Sequence, residues 1–120
     1  MKKTNFNLEN RLINFAVRVI DTADALPKSP AGKNLANQIV RSGTSPALNH
    51  AEAQSAESPA DFIHKMKICL KELRETHVNL KIIDRKGYFK EQRLDDLLRE
   101  NNELISIFVK SVQTAKKNAN

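Results

Sequence analysis

Apolar residues recur along nearly the whole chain at alternating intervals of four and three, the spacing of helices that each bury one broad face. The first run, Leu8, Leu12, Phe15, Val19, Thr22 and Leu26, predicts a helix over 8–26, with Ile13, Ala16, Ile20 and Ala23 widening its apolar face. Asn7 is its expected N-cap, because an Asn side chain can accept from an orphan N–H of the first turn. Pro27 and Pro30 are expected to end this helix and shape the loop that follows.

A second run predicts a helix over 31–56 on the seam Leu35, Ile39, Ser42, Pro46, Asn49, Ala53 and Ala56. Its members are small or polar, so neighbouring backbones can approach closely, and Gly43 and Pro46 predict a kink or local opening. The third helix, 59–86, has the clearest start: Ser58 as N-cap, Pro59 in the first helical position and Asp61 where a capping box carries Glu. Its seam is Phe62, Met66, Cys69, Leu73, Thr76, Leu80 and Ile83, and Gly87 suits the left-handed residue after its end. The fourth, 90–115, has the seam Leu94, Leu98, Asn101, Ile105, Phe108, Val112 and Ala115, broadened by Leu97 and Leu104. Its acidic residues lie early and its lysines late, which suits the helix dipole; residues 118–120 are expected to fray. Four such helices with short connections predict an all-α fold, one antiparallel up-down-up-down four-helix bundle spanning 1–120. Each seam has a polar or small residue near its middle (Thr22, Ser42 or Asn49, Thr76, Asn101), which can fix helix register.

The 120 residues are enough for one core without a metal or disulfide staple, and the single cysteine, Cys69, cannot close an internal bridge. That suits a cytoplasmic protein. No apolar run is long enough to cross a membrane, and the segment after Met1-Lys2-Lys3 is too polar for a signal core. Enzymatic chemistry finds no footing. A di-iron bundle needs two inward Glu-x-x-His motifs, and the nearest match is the lone Asp61-Phe62-Ile63-His64. His50, His64 and His77 never stand at helical clamp spacing, so no metal site is expected. Ser42-Gly43-Thr44-Ser45-Pro46 lacks the lysine and strand of a phosphate loop, and Cys69 sits on a buried seam. No enzyme activity and no cofactor are expected.

Charge adds one feature. Lysine and arginine number 20 against 14 acidic residues, for a formal charge of +6. On the third helix Lys67, Lys71, Arg74, Lys81 and Arg85 fall within about 80° of arc, opposite the seam, over about 27 Å. No acidic residue shares that arc, although Val78 interrupts it and Ile82 borders it. Such a row can track successive phosphates of RNA or DNA without reading sequence; a solvated outer face is the alternative.

The run Val40-Arg41-Ser42-Gly43-Thr44-Ser45-Pro46-Ala47-Leu48-Asn49-His50-Ala51-Glu52-Ala53, then Ser58-Pro59-Ala60-Asp61-Phe62 and Lys71-Glu72-Leu73-Arg74-Glu75-Thr76, resembles the family of four-helix-bundle proteins encoded by intervening sequences in bacterial 23S ribosomal RNA. The family is often labelled ribosomal-protein-like, which describes its genomic location. The family pattern falls on Arg41, Ser42, Ser45, Asn49, Glu52, Phe62, Glu72 and Glu75. Pro46 and His50 depart from it, standing where aliphatic residues are usual, and Ala53 replaces a glycine common in one branch. The resemblance implies an antiparallel bundle that assembles as a ring-like homopentamer without catalytic activity. It also implies a relation to the accessory variability determinant of diversity-generating retroelements, a basic pentamer that binds nucleic acid and a reverse transcriptase. Arg41 opposite Glu72 or Glu75 would make a buried or interface ion pair. Two functions follow as expectations: an oligomeric bundle that binds RNA or other nucleic acid through its basic faces, or a structural adaptor whose partner is a protein.

Overall fold

The computed structural model describes the backbone of residues 2–119 and the side chains of residues 7–119. It contains four helices, α1 (Lys2–Asp24), α2 (Pro30–Ala53), α3 (Pro59–Lys86) and α4 (Asp95–Ala119). Each packs on its neighbours in chain order, and a slighter α1–α4 contact closes the ring, giving an up-down bundle with extents of 48 × 23 × 20 Å. The core is built from the predicted seams: Leu12, Phe15 and Val19 from α1, Ile39 from α2, Leu73, Leu80 and Ile83 from α3, and Leu104 and Phe108 from α4 are all buried. Truncating one of these large side chains to Ala would cost roughly 2–5 kcal/mol, depending on how far the site collapses.

Helix boundaries follow local chemistry. α3 matches expectation at both ends: the Ser58 hydroxyl accepts from the Asp61 N–H at 3.0 Å, and Gly87 takes a φ of 81°. The Asp61 carboxylate is one methylene shorter than Glu and accepts from the Glu57 N–H at 3.3 Å, one residue before the cap. The start of α1 differs. Asn7 is an exposed residue inside the helix and not its cap, because neither proline nor glycine interrupts residues 2–7 and the backbone turn continues back to Lys2. Pro30 is likewise not a loop residue but the first residue of α2, behind the N-cap Ser29, whose hydroxyl accepts from the Gly32 N–H at 3.1 Å. Gly32 is required here, since a Cβ would lie 2.0 Å from the Pro27 carbonyl oxygen.

α2 stops at Ala53, not 56. Ser55 and Ala56 donate to carbonyls three residues back (3.0 and 3.1 Å), which tightens the chain out of α geometry before Ser58 starts the next helix. α4 begins about one turn later than expected, because Gln92 adopts a left-handed φ of 71° and residues 91–94 form turns. It runs on to Ala119 through the segment expected to fray; Asn120 lies outside the described residues. α2 is continuous through Pro46, which lacks the N–H that would bond one turn back.

The small residues of α2 bring it close to α1. A Cβ on Gly43 would stand 2.7 Å from Val19 Cγ1. The polar mid-seam residues are hydrogen-bonded. Thr22 donates to the Arg18 carbonyl at 2.9 Å, and Asn101 reaches across from α4 to donate to the Leu73 carbonyl at 3.1 Å. Thr76 Oγ1 lies 2.8 Å from both the Glu72 carbonyl and Ser42 Oγ. With only one proton, given to the carbonyl, Thr76 accepts the bond that Ser42 donates across the α2–α3 seam.

Candidate nucleic-acid interface

α3 carries most of the candidate residues, and its packing decides which way each faces. Its buried face, Met66, Cys69, Leu73, Thr76, Leu80 and Ile83, lies against the core, so the opposite arc is directed to solvent. Lys67, Lys71, Arg74, Lys81 and Arg85 are all exposed on that arc. Among the described residues none of the five lies within 4.0 Å of a carboxylate. Unpaired cations keep their full field and donors for an anionic partner. Within the same face Val78 is 58 % and Ile82 48 % exposed, and with Lys81 and Arg85 they line a shallow depression. Aromatic groups are few: Tyr88 and Phe89, half-buried after the end of α3, are each covered by a cation, Lys86 at 5.4 Å and Arg93 at 5.2 Å. Base stacking on them would have to displace those cations.

The remaining motif residues form structural contacts. Arg41 Nη1 donates to Glu72 at 3.1 Å and Nη2 to Glu75 at 3.0 Å. The Glu75 hydrogen bond, with the field of Glu72, raises the Arg41 pKa. This pair is not buried: Glu72 is largely covered, at 10 % exposure, but the Arg41 side chain is 60 % exposed, because α2 and α3 meet there at the rim of the bundle. Asn49 donates to the Ser45 carbonyl (3.1 Å) and hydroxyl (2.9 Å) one turn earlier, within α2. Glu52 accepts from Lys65 at 2.6 Å, and this hydrogen bond raises the Lys65 pKa. Phe62 is half-buried against the core. The fold therefore brings Arg41, Ser42, Glu72 and Glu75 together with Thr76 as a clamp between α2 and α3, while Ser45, Asn49 and Glu52 stand farther along α2.

A second clamp had no signal in the helix periodicity. Arg11 on α1 grips Glu100 on α4 with two bonds, 3.0 and 2.7 Å, and also reaches Glu103 at 2.9 Å. These bonds raise the Arg11 pKa, the Glu100 bond most. It closes the pair of helices that touch each other least. Only the opposite charges on the shoulders of two seams could have suggested it.

Potential chemistry is limited by burial. Cys69 is enclosed, its thiol donates to the Pro46 carbonyl at 3.5 Å, and desolvation pushes its pKa up to about 12, so the thiolate needed for attack is scarce at neutral pH. Among the described residues no three His, Cys, Asp or Glu side chains are grouped to hold a metal ion, and no helix is long and apolar enough to cross a membrane.

Comparison with known proteins places this arrangement. The family model of the 23S rRNA-intervening sequence protein matches residues 5–110. The chain belongs to that family. A solved structure of this fold, described as a protein of unknown function from the S23 ribosomal protein family of Bacteroides thetaiotaomicron VPI-5482, is similar at 29 % identity with a TM-score of 0.83. The alignment covers 91 % of this chain and 97 % of that one. No curated protein matches. In this 23S rRNA-intervening sequence protein the α2–α3 clamp is built from Arg41, Ser42, Glu72, Glu75 and Thr76, and Pro46 and His50 are both buried on α2.

Proposed function

We propose that this 23S rRNA-intervening sequence protein is a cytoplasmic, non-enzymatic, self-assembling bundle that binds RNA through the outer face of α3. The observation that carries the reading is the row of five exposed cations, none paired with a carboxylate among the described residues, on a helix whose other face is locked into the core. Elsewhere Arg11, Arg41, Lys65 and Arg99 are tied to acidic partners. Binding would be to backbone phosphate, tolerant of sequence and strongly weakened by salt. Self-assembly into a ring, as the family resemblance implies, would repeat the row and raise avidity without any new type of interaction. The exposed aliphatic residues Ile13, Val17 and Ile20, on one arc of α1, supply apolar area for contact with a second copy. Neither comparison supports the further link to the accessory variability determinant, and RNA binding is inferred without it.

The test is fluorescence anisotropy with single-stranded and duplex RNA across a salt series. Affinity should fall linearly on logarithmic axes. A Lys67→Ala/Lys71→Ala/Arg74→Ala variant should flatten the slope by about 0.7–0.9 for each phosphate that is no longer neutralised. Absent binding at low salt, or an unchanged variant, defeats this site. A protein partner is the second reading, favoured by the exposure of Val78 and Ile82 among the cations; capture of a defined protein at high salt, with no RNA retained, would select it.

A further inference from the structure

Among the described residues six large aliphatic side chains stand in water, and five of them fall on two arcs: Ile13, Val17 and Ile20 on α1, Val78 and Ile82 on α3. The two arcs carry opposite charge. At 100° per residue, about 120° of α1 holds its three aliphatics together with Glu9, Asp21 and Asp24, all exposed. Between Glu9 and Asp24 no lysine or arginine shares that arc; Arg11 and Arg18 lie about 60–80° beyond its edge. None of these three carboxylates is within 4.0 Å of a cation among the described residues. On α3 the pattern is reversed. Val78 and Ile82 line a depression of about 210 Å³ with Lys81 and Arg85, and no acidic residue shares its lining.

Neither arc is covered from within the chain, since α1 and α3 stand at opposite corners of the bundle and pack on α2 and α4 through other faces. Neither suits a copy of itself. α1 against α1 would bring carboxylates together, and α3 against α3 would bring cations together. α1 of one copy against α3 of another matches hydrocarbon with hydrocarbon and acid with base.

The levels of the two arcs agree as well. Gly43 of α2 faces Val19, and the neighbouring Ser42 bonds Thr76 of α3 at 2.8 Å, so Ile20 and Thr76 stand at about one level along the bundle. As alternate helices of an up-down bundle, α1 and α3 run in the same direction. Copies related by rotation about an axis along the bundle keep those levels. Ile20 of one copy then stands about 3 Å from the level of Val78 in the next, and Asp24 about 1.5 Å from that of Lys81.

We infer that copies of this chain join head to tail, the α1 arc of one seated on the C-terminal half of α3 of the next. Ile20 enters the depression at Val78 and Ile82, while Asp21 and Asp24 pair with Lys81 and Arg85. A contact between two different faces leaves one of each free at the ends, so addition continues until a ring closes. The inference rests on the self-assembly reading and supplies the two faces that meet. It also divides the cation row: Lys67, Lys71 and Arg74 lie outside these pairs and stay open to phosphate.

The test is the mass of the full chain by light scattering after nuclease treatment, with circular dichroism to follow the fold. Asp21→Lys/Asp24→Lys and, separately, Lys81→Glu/Arg85→Glu change only exposed side chains and should each bring the mass down toward the 13.6 kDa of one chain. All four substitutions together restore opposite charges across every contact and should return the parental mass. A parent of single-chain mass would overturn the self-assembly reading itself. An assembled parent whose two reversed variants keep its mass, or whose fourfold variant stays dissociated, would overturn this interface alone.

Discussion

A histidine enclosed in a core behaves differently with pH from one on the surface, and His50 gives this bundle an acid-sensitive point. Its folded pKa is held down, chiefly by desolvation, and that of the half-buried His77 is lowered too, by burial and then by the charge of Lys81. In the unfolded chain both would titrate near the ordinary value of about 6.5. Below that pH the unfolded state takes up protons that the folded state refuses, so stability is full above about 6.5 and declines as pH falls toward the lowered folded values. The Tm should therefore drop between about pH 6.5 and 5, and His50→Leu should remove most of that drop while leaving the Tm at pH 8 unchanged or higher. A parental slope in the variant would assign the acid sensitivity elsewhere. The burial of His50 was not legible in the sequence. Sequence spacing places it one position from the seam residue Asn49, and only packing shows that His50 turns inward to 2 % exposure while Asn49 bonds back to Ser45 at the boundary.

Between elements, the decisive contact is the approach of α1 and α2 at Gly43. Alanine there would gain about 1 kcal/mol of helix propensity, but its Cβ would meet Val19 Cγ1 at 2.7 Å and Val19 Cβ at 3.0 Å. Val19 is wholly buried and stiff about χ1, so the strain of overpacking, typically 1–3 kcal/mol, should win. Gly43→Ala is expected to destabilise by up to about 2 kcal/mol in urea unfolding, and by at least about 0.5 kcal/mol less in a Val19→Ala background, because the two sites share one space. Additive losses would mean that no such contact limits the packing. Helix type and order were readable because the four-three spacing persists through all four segments and because Ser58, Pro59 and Gly87 punctuate α3. Boundaries failed where punctuation was absent or double-edged. Pro30 can end one helix or begin the next, and Ser29 decides it by capping Gly32. No residue type signalled the left-handed turn at Gln92. Ile13 and Ile20 were read as part of the core stripe and are exposed, since α1 packs only on α2 and slightly on α4.

At the scale of the whole molecule, self-assembly and RNA binding make linked predictions on different faces. Ile13, Val17 and Ile20 leave aliphatic surface in water on α1, with Val17 50 % exposed, while the cation row lies on α3. Light scattering should give a mass several times the 13.6 kDa of one chain, fivefold for the ring that the family resemblance implies. A lysine placed at Val17 would put a charge into any contact formed by that face and should reduce the mass toward one chain. The same substitution adds a positive charge and leaves all five α3 cations in place, so a protein that binds RNA as independent monomers would bind equally or slightly better. If binding draws on repeated rows, losing them removes avidity, worth about 10²–10⁴ in affinity, and Val17→Lys should bind RNA far more weakly despite its extra charge. Loss of mass with unchanged RNA affinity would separate the two functions, and a single-chain mass for the parent would remove the ring. The signs of the two effects are opposite, so one substitution distinguishes attraction by net charge from binding by an assembled array.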